Sequence, residues 1–535
     1  MAPSVVRVRI GGWLDKEELL RLLEFSRYGG RDSDGLTIYI DPAKARSSGY
    51  TWNDIAAILR GINGVDEADL ARIEDLAREE RRVVIELDDS GNLWVSSKTY
   101  LKPILEGSGI GVVYDRSRRA YRAKPHAYWD LVRLFESKGL IVDDRVFVKS
   151  SSRVAGGLEF TGVLRDYQSE ALEKWRGNGY RGVVSLPTGA GKTVLGIAGI
   201  AELGVWSLVV VYTREQVKQW IEAVKRFLRP GDVVGAYYGE EKRLAPITIT
   251  TYQTAYRRMA SLARLFRLVV FDEAHHLPAD KFKAIALGMP APYRLGLSAT
   301  IEREDGKHEE IFPLIGGVVY HITPGELTRR GYLAPFIIRR IRVDLLGEER
   351  RRYEELRKRF QALARGRTFD RLLEDASKGD KSAVEALRIH ADMRSLIHNS
   401  RAKIDKVIDI ARSELSRGSK IIIFTQYKRQ AEEIASRLGA LLLHGDVPKQ
   451  FRDEALRRFK EEERGVLVVT TVGDEGIDIP DANVGIIVSG TGSRRQFVQR
   501  LGRLLRPSGG KTAILYEVIA SRTSEEYQSR RRARI

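Results

Sequence analysis

Residues Val183 to Thr193 read V-V-S-L-P-T-G-A-G-K-T, an apolar run that breaks into a glycine-containing loop and closes on Lys192 and Thr193. Such a loop turns successive backbone N–H groups inward, which suits the oxygens of a di- or triphosphate. Gly189 and Gly191 allow the tight turn and the close approach that a Cβ would block. Lys192 has the reach for the β- and γ-phosphates, and the Thr193 hydroxyl can hold Mg²⁺. Pro187, Thr188, Gly189, Ala190, Gly191, Lys192 and Thr193 are therefore the candidate nucleotide-binding residues. The next segment, Val194 to Leu203, reads as a helix whose positive end faces the same anion. The strict pattern G-x-x-x-x-G-K-[ST] places glycine at position 186. This chain has Leu186 there. The alternative is a loop of similar composition beside a buried strand.

Downstream, Val269-Val270-Phe271-Asp272-Glu273-Ala274-His275-His276 delivers two adjacent acids from the end of an apolar strand. Asp272 can bind Mg²⁺, and Glu273 can polarise the water that attacks a γ-phosphate. An acid pair after a strand says little alone; its place after G-K-T gives it weight. His275 follows as a coupling candidate. Ser298 and Thr300, in Leu297-Ser298-Ala299-Thr300, place hydroxyls at another strand end, where they can sense the acids. Upstream, Leu164-Arg165-Asp166-Tyr167-Gln168 opens a helix; Arg165 and Gln168 are candidates for the nucleotide base, with the Gln168 amide suited to an adenine edge. A helix start and an ordinary turn are the plainer readings of these last two segments.

From residue 159 the pattern is strand alternating with helix, the sign of doubly wound parallel sheets. One series is Gly182–Ser185, Ser207–Tyr212, Ile247–Thr251, Leu268–Phe271 and Tyr293–Leu297. A second is Lys420–Phe424, Ala440–Leu443, Gly465–Thr470, Val484–Val488 and Thr512–Tyr516. The fold class expected is α/β, with two such domains in tandem. The second series carries Asp474-Glu475-Gly476-Ile477-Asp478 and Gln499-Arg500-Leu501-Gly502-Arg503-Leu504-Leu505-Arg506. Arg503 and Arg506, three apart on one helical face, can neutralise charge building on a γ-phosphate held by the first domain; ordinary surface cations are the alternative.

Between the two series, Glu348 to Asn399 reads as helical and polar, with Tyr353, Leu356, Phe360 and Leu363 at helical spacing. From Arg350 to Arg371 nine Lys/Arg stand against three Asp/Glu, which makes Arg357, Lys358 and Arg359 candidates for a phosphate backbone. Ahead of both series, residues 1–78 read as helical in places, with Leu19, Leu20, Leu22, Leu23 and Phe25 on one expected buried face and a turn-rich break at Tyr28 to Asp34. Residues 79–150 read as a small α+β module with a basic turn at Arg116-Ser117-Arg118-Arg119.

The 535-residue chain carries a net charge of +18, and binding to a phosphate backbone is the leading explanation. It has no cysteine, which excludes disulfides, thiolate catalysis and Cys-ligated zinc and fits an intracellular, cytoplasmic protein. No run of about 18 apolar residues suggests a transmembrane helix.

The ordered set L-P-T-G-A-G-K-T, D-E-A-H, S-A-T, D-E-G-I-D and Q-R-L-G-R-L-L-R resembles the superfamily 2 helicases. Finer features resemble their XPB branch. Ile301-Glu302-Arg303-Glu304-Asp305-Gly306 follows S-A-T where that family has an Arg-Glu-Asp motif, and 348–399 sits where it carries a helical thumb. The resemblance implies two RecA-like domains with ATP and Mg²⁺ between them and 3′-to-5′ movement on single-stranded, duplex or forked DNA. It also implies a role in nucleotide excision repair or transcription, and a nuclease partner. An archaeal-type, nucleoid-associated protein is expected. Implied roles are nucleotide contact for Gly476 and Asp478, coupling for Gln499, and DNA contact for Thr213, Thr250, Thr251, Arg303, Glu304, Asp305, Thr470 and Thr471. The expected division is 1–78, an extension of unassigned role; 79–150, a damage-recognition-like module; 151–335, the first helicase domain; and 336–535, the second, with thumb 348–399. Two rivals stand beside this reading: an RNA-remodelling ATPase with the same D-E-A-H core, and a DNA-binding scaffold that ATP switches without movement.

Overall fold

The computed structural model describes residues 5–274, 280–301, 308–333, 335–470, 482–488 and 513–526. They divide into two compact units. One comprises Met1–Ser152 with Arg258–Arg267 and Ala284–Pro292, and the other holds the remainder.

In the first unit, Val6–Ile10, Gly35–Ile40 and Ser26–Asp32 form an antiparallel sheet, with Gly35–Ile40 in the middle. This departs from the helical reading of residues 1–78. Val6, Val8 and Ile10 alternate with exposed or half-buried arginines, the period of a strand with one buried face. The expected break at Tyr28 is itself a strand. Its glycines hide it from propensity, yet a Cβ on Gly29 would come within 2.5 Å of the Tyr39 ring on the neighbouring strand. Leu22 and Phe25 are fully buried as expected, whereas Leu20 is 57% exposed, because the buried stripe of the helix Lys16–Leu23 does not pass through it.

The same unit holds a five-stranded sheet in the order Val112–Asp115, Ala120–Ala123, Leu93–Ser97, Arg82–Leu87, Ile141–Arg145. The helix Tyr128–Ser137 buries Tyr128, Leu131 and Phe135. Two segments of the expected 151–335 domain cluster with this unit. Arg267 pairs with Asp144 at 3.0 Å, and Arg264 reaches Asp89 at 3.2 Å.

The second unit carries two parallel sheets. The first runs Glu241–Lys242, Val234–Tyr238, Ile247–Thr251, Ser207–Val211, Leu268–Asp272, Tyr293–Ser298, Arg181–Ser185, Val318–His321. Only Glu241–Lys242 is antiparallel to its neighbour. The second runs Phe336–Val343, Ala513–Ala520, Val484–Ile487, Lys420–Thr425, Gly465–Thr470, Leu441–Leu443, all parallel. Central strands such as Ser207–Val211 are buried along their whole length, so they read as continuous apolar runs. Val234–Tyr238, Val318–His321 and Phe336–Val343 lie toward the edges of the sheets, where mixed polarity and short apolar runs conceal them.

After the first strand of the second sheet in the chain, the helices Gly347–Ala364, Phe369–Ser377 and Lys381–His398 pack Tyr353 against Ile389, Met393 and Ile397, with Leu356, Phe360 and Leu363 beside them. Arg357, Lys358 and Arg359 stand on the exposed side. Lys403, at the root of this insertion, is fully buried and held by both Glu525 carboxylate oxygens at 2.7 and 2.9 Å.

Candidate active site

Parallel pairing brings the strand ends of the first large sheet to one edge. Ser185 pairs with Ser298, and Asp272 pairs with Leu297 on the other side of the same strand. In an open parallel sheet, ligands bind beyond this carboxyl edge.

The phosphate loop leaves the strand Arg181–Ser185 at Leu186, which is fully buried. Its N–H donates to the Ser298 carbonyl at 2.9 Å, and its φ is not positive. A leucine is accommodated here because the position belongs to the core and needs no glycine conformation. Glycine is required further on: Gly189 has φ +82 and Gly191 φ +77. A Cβ on Gly191 would also lie 2.4 Å from the Gln168 amide nitrogen. The helix Lys192–Leu203 starts immediately afterwards, with Thr193 in its first turn.

Gln168 is buried and holds this loop. Its amide nitrogen donates to the carbonyls of Ala190 (3.1 Å) and Gly191 (3.2 Å), while its oxygen accepts from the Arg165 N–H at 2.9 Å. Both ends of the amide thus engage backbone: its N–H groups go to the loop carbonyls, and one lone pair of its oxygen is left for the adenine edge expected of it. Tyr167 adds a bond from its hydroxyl to the Ala190 carbonyl at 2.9 Å. Arg165 is exposed and lies over the Tyr332 ring, 5.6 Å from its centroid.

Lys192 Nζ lies 3.8 Å from Glu273 Oε1 and 3.4 Å from the Leu186 carbonyl. Asp272 is buried at the end of its strand. Trp220 Nε1 donates to its Oδ2 at 2.8 Å, and the Glu273 N–H donates to its Oδ1 at 3.0 Å. Burial first, then the adjacent Glu273 carboxylate, push the Asp272 carboxyl well above the usual aspartate range; Trp220 and Lys192 pull the other way. Glu273 has φ +51, an uncommon conformation for a residue with a side chain. The Tyr252 hydroxyl pins the preceding peptide through the Asp272 carbonyl at 2.9 Å. Ser298 Oγ donates to the Thr300 carbonyl at 2.6 Å. Among the described residues, the buried hydroxyls of Thr188 and Thr300 have no hydrogen-bond partner.

These features fit a nucleotide with a divalent cation. The desolvated carboxylate pair favours a cation, and the two orphaned hydroxyls need partners.

The structure gathers Pro187 to Thr193, Gln168, Asp272, Glu273, Ser298 and Thr300 at this edge. Thr213 caps the helix Arg214–Phe227 by accepting from the Gln216 N–H. Thr250 is fully buried and its hydroxyl donates to the Tyr237 carbonyl at 2.6 Å, and Thr251, also buried, bonds its hydroxyl to Thr254 Oγ1 at 3.0 Å. Thr470 ends the strand Gly465–Thr470 and is buried. His275, Arg303, Glu304, Asp305, Thr471, Gly476, Asp478, Gln499, Arg503 and Arg506 lie outside the described residues. Motif reading missed Trp220, Tyr252 and Tyr332. In sequence they are indistinguishable from core aromatics.

Residues 161–303 match the family model described as the type III restriction enzyme, res subunit, and residues 402–508 match the helicase conserved C-terminal domain. A DNA 3′-5′ translocase XPB2 of Sulfurisphaera tokodaii is 37% identical over 437 residues, 79% of this chain and 95% of that one. A DNA 3′-5′ helicase XPB of Kineococcus radiotolerans is 33% identical, over 68% of this chain and 61% of the relative. A general transcription and DNA repair factor IIH helicase/translocase subunit XPB of Antonospora locustae is 29% identical, over 70% of this chain and 53% of the relative.

Proposed function

Since this chain belongs to the XPB family of DNA 3′-5′ helicases and translocases, we propose that it is an ATP-dependent DNA motor moving 3′ to 5′. The carrying observation is the meeting of Lys192, Asp272 and Glu273 at one sheet edge, beside a loop held open by Gly189 and Gly191. Loop N–H groups and Lys192 hold the β- and γ-phosphates of ATP. Thr193 and Asp272 hold Mg²⁺, which when bound neutralises phosphate charge. With Lys192 drawn to the phosphates, Glu273 is released to orient and deprotonate the attacking water. Arg503 and Arg506 are proposed to complete the site from the second helicase domain, with Gly476 and Asp478 at the nucleotide and His275, Ser298, Thr300 and Gln499 transmitting its state. Thr213, Thr251, Thr470, Thr471 and the thumb cations Arg357, Lys358 and Arg359 are proposed to hold the DNA backbone, with Arg303, Glu304 and Asp305 at the strand junction.

The relatives' names favour DNA over RNA and a motor over a switched scaffold. Work in excision repair or transcription, beside a nuclease and at the nucleoid of an archaeal-type cell, is the finer part of the proposal. The test is phosphate release with single-stranded DNA, duplex DNA or RNA. DNA should stimulate turnover at least several-fold. Stimulation by RNA alone would replace this reading with RNA remodelling.

A further inference from the structure

Two buried aromatic side chains converge on Asp272 from different elements. Trp220, 1% exposed, donates its indole N–H to Oδ2 at 2.8 Å; Tyr252, fully buried, donates its hydroxyl to the main-chain carbonyl at 2.9 Å. A phenylalanine fills the space of Tyr252 apart from one oxygen, so packing alone does not require its hydroxyl. Together they fix both the carboxylate that faces the cation site and the peptide leading into Glu273 at φ +51.

Each comes from a segment that begins at a proposed DNA contact. Thr213 caps the helix Arg214–Phe227, and the cap is tightened by Gln216 Oε1, which accepts from the N–H groups of Tyr212 (3.0 Å) and Thr213 (2.9 Å). Trp220 follows about 10 Å along the helix, at about 1.5 Å per residue. Tyr252 directly follows Thr251 and opens the helix Tyr252–Arg257. The far side of the indole is wedged against the helix that begins at Lys192: a Cβ on Gly196 would lie 2.7 Å from its ring. A hydrogen-bonded helix and a close-packed ring transmit displacement with little slack. These contacts connect Thr213 to the Asp272 carboxylate and Thr251 to the Asp272 peptide.

We propose that Trp220 and Tyr252 are positioning residues that relay DNA engagement to the Asp272–Glu273 pair and nucleotide state back to the DNA contacts. The relay rests on the proposed motor function. It is a property of this chain's buried aromatics rather than of the signature motifs.

The test is an equilibrium one. A fluorescently labelled single-stranded oligonucleotide is titrated with the full-length protein, with and without Mg²⁺ and a non-hydrolysable ATP analogue. The ratio of the two DNA affinities is the coupling factor, which for coupled sites is about 5 to 150. In Trp220→Phe and in Tyr252→Phe it should fall below about twofold, with the melting temperature of Tyr252→Phe unchanged within a few degrees. The effect of DNA on analogue affinity should fall by the same factor, because linkage is reciprocal. Wild-type coupling in Tyr252→Phe, which removes one oxygen, would overturn the relay even if Trp220→Phe fails to fold. So would a lowered melting temperature with coupling intact. A coupling factor of one in the wild-type protein would instead remove the coupled motor itself, and the relay with it.

Discussion

At the residue scale the chemistry rests on a few side chains whose neighbours set their behaviour. Burial and the adjacent Glu273 together raise the Asp272 carboxyl above the usual aspartate range, while Glu273 faces Lys192 at 3.8 Å. Replacing Glu273 by Gln keeps size and hydrogen bonding and removes the base. Turnover should fall on the order of a hundredfold or more while nucleotide binding persists. Steady-state phosphate release and analogue binding on one preparation check this; normal turnover would remove Glu273 from its role. Asp272 and Glu273 are legible in the sequence as acids at the end of an apolar strand, and Lys192 as the cation that closes a glycine loop. Trp220 and Tyr252 are not legible. Only their hydrogen bonds, made across 52 and 20 residues of chain, distinguish them from ordinary core side chains.

At the element scale, buried central strands were plain in the sequence and marginal ones were not. Ile247–Thr251 and Gly465–Thr470 match their apolar runs residue for residue. Ser26–Asp32 escapes notice because glycine and arginine occupy a strand whose pairing comes from Gly35–Ile40. The thumb's charge also needs the structure to be read properly. Arg367 is tied to Asp375 and Asp380 at 3.1 and 2.8 Å, and Arg371 to Glu374 at 2.9 Å, so these cations are already partnered. Arg359 pairs with Glu385 at 3.6 Å, whereas Arg357 and Lys358 make no ion pair among the described residues. Binding of DNA should weaken steeply with salt, by about 0.7 to 0.9 log units per log unit of salt for each phosphate contact. Neutralising Arg357, Lys358 and Arg359 together should flatten that slope by about two contacts, since Arg359 is partly compensated. An unchanged slope in a salt titration would take the thumb off the DNA.

At the scale of the whole molecule, one unit carries the two parallel sheets, and the other comprises the N-terminal residues with two segments from the first sheet's stretch of chain. No helix among the described residues is long and apolar enough to cross a membrane. The phosphate loop, acid pair and hydroxyl pair, read in order, come together at one edge of the first sheet. The three-stranded sheet of Val6–Ile40 had no comparable signature, because glycines and charged residues fill Ser26–Asp32, which pairs with Gly35–Ile40 across a two-residue turn. The central claim is that hydrolysis at Lys192, Asp272 and Glu273 moves this protein along DNA. Displacement of a triplex-forming third strand from duplex DNA measures that movement directly, independently of strand separation. The expected result is ATP-dependent displacement that is lost in Glu273→Gln. DNA-stimulated hydrolysis by the wild-type protein without any displacement would contradict it.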